Sequence, residues 1–333
     1  MHPCCISLII VLIYYTENAE VQQLYKVFVD GGHGTTGLRI SEYLCNCPDI
    51  ELLQPAPEER KSTEARLKLI SAADVSILCL PDKASEEIAL LAPQSAVLID
   101  TSSRHRTSGG WVYGMPELTP DQRDLIRSST RIANPGCHAS GFILLVRPLV
   151  DAGVIGRDSL LSCFCVTGYS GGGKSMIARY EDADRPEVLD SPAQYALGQS
   201  HKHLPEMVMM SGLSHAPCFS PVVGDFYSGM VMTVQLHTSQ LERKVSPDDI
   251  REILSTRYDG EPLIKVIDGV PEDGFIYSNP LAGSAGMYMY VSGNDDRLLL
   301  MAVYDNLGKG ASGAALQNLN ILLGREETAG LTL

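Results

Sequence analysis

The stretch YKVFVDGGHGTTGLRISEYLCN, residues 25–46, leaves few folds open to this chain. YKVFVD is an apolar, β-branched run and reads as a strand. GGHGTTG follows at once, and Leu38, Ile40 and Leu44 then recur at helical spacing. A strand, a G-x-G-x-x-G loop and a helix, in that order, open a dinucleotide-binding βαβ unit. The glycines permit a tight turn and close approach to a pyrophosphate, which rests on the helix N-terminus. Gly31, Gly32, Gly34, Thr35, Thr36 and Gly37 are therefore the candidate cofactor contacts.

The alternation continues downstream. IELLQ (50–54), ADVSILCLP (73–81) and SAVLID (95–100) read as strands, with EARLKLISAAD and KASEEIALLAPQ as helices between them. The fold class is α/β, beginning with a Rossmann-like, doubly wound parallel sheet. Beyond residue 153 the texture changes. LLSCFCVTGYS, FSPVVGDFYSGMVMTVQLHTS, LIKVIDG and AGMYMYVSGNDDRLLLMAVYDN are alternating strands of antiparallel character. KGASGAALQNLNILL (309–323) reads as a close-packing helix returning to the first domain. The expected division is 24–140 for dinucleotide binding, 141–304 for catalysis and oligomerisation, and 305–333 for the returning helix.

Residues 1–23 contain CCISLIIVLIYY, too short to span a bilayer, with no Lys or Arg before it. They are expected to be a disordered or non-native extension. A formal net charge of -14 argues against a nucleic-acid partner. Nine cysteines, an odd number scattered through a long chain, do not form a disulfide framework and fit a reducing cytoplasm. No membrane partner is expected.

Three stretches carry chemistry. Asn134-Pro135-Gly136-Cys137 delivers a cysteine to the start of a long apolar helix. Free N–H groups and partial positive charge there favour a reactive thiolate and can hold an oxyanion. Cys137 is the candidate nucleophile. His201-Lys202-His203 supplies a proton-transfer partner, His203 first and His201 second. In an extended segment the two rings would point to opposite sides. An HxH pair also suits zinc, but no third ligand is spaced with it, and no metal is expected.

For the cofactor's ribose, the second strand ends at Leu53-Gln54 with no acidic residue, while Arg39 and Arg60-Lys61 offer cations for a 2′-phosphate. This favours NADP(H). GYSGGGKS (168–175) also matches the phosphate-cradling pattern G-x-x-x-x-G-K-[ST] of nucleotide hydrolases. However, the apolar strand ending in Asp that such a site needs for Mg²⁺ is AVLID, which lies upstream.

Taken with VFVDGGHGTTGLRI, LIDTSSRHRTSGGWVYGMPEL, NPGCHASG, GYSGGGKSMI, KHLPEM and YDNLGKGASGAALQNLN, the chain resembles the N-acetyl-γ-glutamyl-phosphate reductase family, in the shorter of its two forms. The resemblance implies a second domain of glyceraldehyde-phosphate-dehydrogenase type and an NADP-dependent semialdehyde dehydrogenase of arginine biosynthesis. It implies that Cys137 attacks an acyl phosphate, that the thioester is reduced by hydride, and that His203 manages the proton. It further implies Arg106 on the substrate phosphate, with Ser170 or Lys174 near substrate. Asn306 would hold the nicotinamide amide, Asn134 would help the oxyanion, and Ser102 would stand with the cofactor contacts. A small acyl phosphate is the expected partner molecule, in a homodimer or homotetramer. His138 stands where an aromatic residue is usual. The alternatives are a reductase of another acyl phosphate, such as aspartyl phosphate, and a non-catalytic dinucleotide-binding sensor.

Overall fold

A computed structural model describes residues 24–333. The expectations for residues 1–23 lie outside them. The first body is a parallel sheet built from β1 (Tyr25–Asp30), β2 (Ile50–Leu53), β3 (Val75–Leu78), β4 (Leu98–Asp100), β5 (Val112–Tyr113) and β6 (Arg131–Ala133), in the order β2-β1-β3-β4-β6-β5. Every recorded pairing in it is parallel. Strand order reverses at the β1/β3 boundary, where doubly wound sheets bind ligands. Helices α1 (Thr35–Cys45), α2 (Thr63–Ala72), α3 (Asp82–Leu91) and α4 (Gln122–Ser128) connect the strands. β5 and α4 did not stand out in the sequence, because two strand residues and two helical turns carry little periodicity.

Helix α5 (Cys137–Asp151) leads into the second body. Its sheet comprises β7 (Ser162–Gly168), β8 (Ala193–Gln194), β9 (Cys218–Gly224), β10 (Met230–His237), β11 (Ile264–Val266), β12 (Met287–Gly293) and β13 (Arg297–Tyr304), in the order β11-β12-β13-β10-β7-β9-β8. The sheet is mixed rather than purely antiparallel, since β7–β9 and β11–β12 pair parallel. Between β7 and β9 the chain passes through α6 (Gly173–Glu181), β8 and α7 (Leu204–Ser211), and such a crossover returns it in the same direction.

Alternation sorts the two faces of this sheet. Cys163, Cys165, Met232, Val234, Met289, Leu300 and Ala302 are buried against α5 and α8 (Pro247–Arg257). Phe164 and Leu299, on the opposite face, remain exposed. The last helix is α9 (Gly313–Leu323), whose Ala315, Leu316, Leu319 and Ile321 pack with Val27, Ile40 and Ile99 of the first body. The C-terminal helix thus packs against the first body. Among the described residues no helix is long and apolar enough to cross a membrane.

Candidate active site

The glycine-rich loop is shaped by close approach. Gly31 has φ +82°, and a Cβ there would fall 2.3 Å from the Cys79 carbonyl oxygen. Gly34 N–H donates to Gly31 O at 2.9 Å, closing the turn that starts α1. Two cavities flank the loop. One is lined by Gly31, Gly32 and His33 together with Gln54, Arg60, Lys61 and Arg66. The other, of about 410 Å³, takes in Thr35 and Thr36 and runs to Cys137. That volume lies within the range of small-molecule sites.

Arg39 is not at the first cavity. It pairs with Asp305 at 3.2 Å and lines a separate groove, so this cation is committed to closing the C-terminal segment onto α1. Arg66 lines that cavity instead and holds Asp30 at the end of β1, with Nε at 2.7 Å. Burial raises the Asp30 carboxyl while Arg66 opposes the shift. Ser102 lines neither cavity. It is buried, donating from N and Oγ to the two carboxylate oxygens of Asp100 at 2.9 and 2.7 Å. His105 Nδ1 lies 2.6 Å from the same carboxylate and its ring stacks on Trp111. Burial opposes the Asp100 charge, yet hydrogen bonds from His105, Ser85 and Ser102 hold its carboxyl below the usual range. This network fixes the loop that presents Arg106.

The turn before Cys137 is held by one carboxylate. Glu206, in the first turn of α7, accepts from Arg106 Nη1 at 2.7 Å, Tyr113 Oη at 2.7 Å and Gly136 N–H at 3.1 Å. Gly136 has no room for a side chain, since a Cβ would lie 2.3 Å from Arg106 Nη1 and 2.6 Å from His203. Arg106 also donates to Asn134 O at 3.0 Å and Thr101 O at 3.1 Å. At the start of α5, Tyr304 Oη donates to Cys137 O at 2.6 Å and accepts from Gly141 N–H at 3.2 Å. The spacing in the sequence marked Cys137 alone; Glu206, Tyr113 and Tyr304 come from elements far away in the chain.

Around the thiol stand His138, His201 and His203, which all line the same cleft. The expected opposition of His201 and His203 is corrected here. Their ring centroids lie 4.6 Å apart, because His203 is helical in backbone (φ -85°, ψ -14°) and the segment turns into α7. Cys137 Sγ lies 3.3 Å from His138 Nδ1, and His138 Nε2 lies 2.9 Å from Tyr195 Oη. The sequence reading named neither His138 nor Tyr195 as a site residue. His138 was visible as the neighbour of Cys137, whereas nothing in SPAQYALGQ marks Tyr195.

Burial raises the Cys137 thiol, against the lowering effects of Arg106, the His138 N–H and Lys202. Burial thus opposes the effect that the helix start has on this thiol. Burial, with His201 and Lys202 beside it, lowers His138 to about 3. Burial likewise lowers His201 and His203. These shifts favour the protonated thiol and the neutral imidazoles, whose ring nitrogens then offer lone pairs to the cleft.

The remaining candidates separate. Ser170 and Asn306 line the cleft and are buried, with Asn306 Nδ2 donating to Ser170 Oγ at 2.9 Å and Asn306 Oδ1 accepting Gly229 N–H at 2.9 Å. Asn134 Nδ2 donates to Ala311 O at 3.0 Å. Gly171, Gly172 and Gly173 line the cleft, but Lys174 does not. It lines the groove that holds Arg39. The loop GYSGGGKS belongs to the mixed sheet and faces the thiol, so its resemblance to a nucleotide-hydrolase loop is one of pattern.

Comparison with known proteins agrees with this geometry. Residues 26–126 match the semialdehyde dehydrogenase NAD-binding domain, and residues 137–306 match the semialdehyde dehydrogenase dimerisation domain. Proteins named N-acetyl-gamma-glutamyl-phosphate reductase from Brucella suis and Brucella ovis are each 42% identical over 307 residues, covering 90% of this chain and 99% of theirs. The fold matches aspartate semialdehyde dehydrogenase II of Vibrio cholerae complexed with ASA, with TM-score 0.68, 17% identity, and coverage of 91% of this chain and 99% of that one. It also matches aspartate semialdehyde dehydrogenase with NADP from Candida albicans, with TM-score 0.65, 14% identity, and coverage of 90% and 99%. A cysteine at a helix start, facing a dinucleotide loop across one cleft and matched at this identity over nearly the whole chain, places it in the N-acetyl-gamma-glutamyl-phosphate reductase family.

Proposed function

We propose that this chain reduces N-acetyl-L-glutamyl 5-phosphate to N-acetyl-L-glutamate 5-semialdehyde and phosphate, using NADPH and a thioester on Cys137, as a step of arginine biosynthesis. The observation that carries the reading is a single cleft holding Thr35 and Thr36 of the dinucleotide loop, the Cys137 thiol and the Arg106 guanidinium. The residues fit the cofactor. The loop leaves no room for a Cβ at Gly31, the buried Thr35 Oγ1 has no protein partner, and Arg60 and Lys61 line the cavity at the end of β2 where a 2′-phosphate needs cations. Bound NADPH supplies the hydride.

The protein's own groups have these roles. His138 Nε2 and Tyr195 Oη stand 2.9 Å apart, and in the tautomer that carries its proton on Nε2 the Nδ1 lone pair faces Sγ at 3.3 Å. His138 takes the thiol proton as Cys137 attacks the acyl carbon, and the C–O bond to phosphate breaks. The N–H groups at the start of α5 hold the carbonyl oxygen as it gains charge. Arg106 has five N–H donors and places three on Glu206, Asn134 O and Thr101 O, so two remain for the departing phosphate. After reduction the Cys137 hemithioacetal collapses to aldehyde, with His203 moving the proton at its oxygen and His201 beside it. Ser170 and Asn306 wall the same cleft, where Asn306 would hold the nicotinamide amide.

The working division remains 24–140 for cofactor, 141–304 for substrate and self-association, and 305–333 for closure onto the first domain. The uncovered sheet face bearing Phe164 and Leu299 supports a homo-oligomer. The free cysteines among the described residues support a cytoplasmic location.

The test is phosphate-dependent reduction of NADP⁺ by the purified protein, with N-acetylglutamate semialdehyde and aspartate semialdehyde run side by side. NADPH formation with the acetylated substrate alone, and only with phosphate present, is expected. Preference for aspartate semialdehyde would overturn the substrate assignment. Inactivity with both, despite retained NADPH binding, would favour a sensor.

A further inference from the structure

We infer that Cys137, His138 and His203 form a Zn²⁺ site whose occupation reversibly shuts off the thiol. Among the described residues these are one group of three ligand-type side chains whose donor atoms all lie within 4.8 Å of one another. A tetrahedral Zn²⁺ with bonds of about 2.0–2.3 Å requires donors about 3.6 Å apart. Sγ and the His138 Nδ1 already stand at 3.3 Å, so side-chain rotation of roughly an ångström at His203 completes the set. The spacing of His201 and His203 in sequence had offered no third ligand. Folding supplies it from the start of α5.

Other observations point the same way. His203 is nine-tenths buried and more, at 4% exposure, and its Nδ1 has no hydrogen-bond partner. His138 is oriented through its far nitrogen by Tyr195 Oη at 2.9 Å, the kind of outer contact that fixes metal-ligating imidazoles. His201 spends Nδ1 on the His203 N–H at 3.3 Å and faces the same cleft, leaving the fourth position open to His201 or water. One thiolate and two imidazoles suit a borderline-soft d¹⁰ cation and not Mg²⁺ or Ca²⁺. Arg106 and Lys202 line the cleft and oppose a dication; Glu206 offsets Arg106 at 2.7 Å.

Binding is a proton-for-metal exchange. The S–H bond breaks, an S–Zn bond forms, and one proton leaves to solvent. The bound thiolate cannot attack an acyl carbon, so the site inhibits rather than assists. Turnover is not needed to detect it, which keeps this inference separable from the proposed reaction.

The experiment titrates the purified full-length protein with Zn²⁺ alone and follows alkylation of Cys137 by peptide mass spectrometry. One equivalent is expected to protect Cys137, release one proton and be reversed by a chelator. His138→Phe is expected to raise the Zn²⁺ concentration for half-protection at least ~10-fold, with a smaller rise for Tyr195→Phe. Co²⁺ in the unaltered protein is expected to give a thiolate-to-metal charge-transfer band, a readout that needs no variant. Alkylation undiminished by excess Zn²⁺, absence of the Co²⁺ band, or protection identical in folded His138→Phe would overturn the site. Protection of Cys137 in a protein inactive with both semialdehydes would leave it standing while removing the proposed reaction.

Discussion

At the scale of single residues, the chemistry rests on how distant side chains converge on Cys137. Cys137→Ser should lower turnover by roughly three orders of magnitude or more while NADPH affinity is retained, as seen by steady-state kinetics and cofactor fluorescence titration. Turnover within a few-fold of the unaltered protein would remove Cys137 from the mechanism. Glu206 is a positioning residue, because it fixes Gly136, Arg106 and Tyr113 without entering the reaction. Glu206→Gln puts an amide N–H against one of those three donors. Its kcat should fall about 10- to 100-fold with the KM for NADPH unchanged. Glu206→Asp should recover part of the loss. A lowered melting temperature with normal kcat would reduce Glu206 to a structural role. Cys137 was legible because Pro-Gly before a helical run announces its place. The three-histidine cluster was only half legible: the sequence showed HxH and the His beside Cys137, but not the turn that aims all three rings at one point.

At the scale of elements, the C-terminal segment decides whether the cleft is closed. The run 309–323 reads as one helix, yet α9 begins only at Gly313. Ser312 N–H and Oγ both bond Leu307 O, a wider turn than an α-helix makes, and Gly310 packs against Cys137. Lys309 is buried at 3% exposure, with Nζ 2.6 Å from Glu117 and 2.7 Å from Gln317. Burial works against the Glu117 charge, but Lys309 and Gln317 hold its carboxyl below the usual range. Lys309→Met leaves that carboxylate buried and unpaired, and should cost about 3–5 kcal/mol in denaturant unfolding. Lys309→Met with Glu117→Leu should recover much of this. A single variant as stable as the parent would show that the pair does not tie the segment down. Helix and strand runs were readable here from their apolar spacing. The wide turn was not, because tertiary packing on Cys137 sets it.

For the whole molecule, the doubly wound sheet followed from strand–helix alternation, but the mixed character of the second sheet did not. Alternation reports which face of a strand is buried and says nothing of strand direction. It does predict an interface. Phe164, Thr233, Met301 and Tyr290 pair across one row of the outer face, and Gln235 and Leu299 across the next. Of these, Phe164 and Leu299 are exposed apolar side chains, the kind of residue that marks an association surface. Phe164→Asp combined with Leu299→Asp should convert an oligomer to a monomer by analytical ultracentrifugation, with the first-domain cofactor affinity retained. Unchanged mass would place the contact elsewhere.

The most direct test of the covalent route is to mix the protein with N-acetylglutamyl phosphate in the absence of NADPH, quench in acid and map the adduct. The predicted result is an N-acetylglutamyl increment on the peptide carrying Cys137, discharged when NADPH is added before the quench. Full catalytic turnover with no acyl group ever found on Cys137 would contradict it.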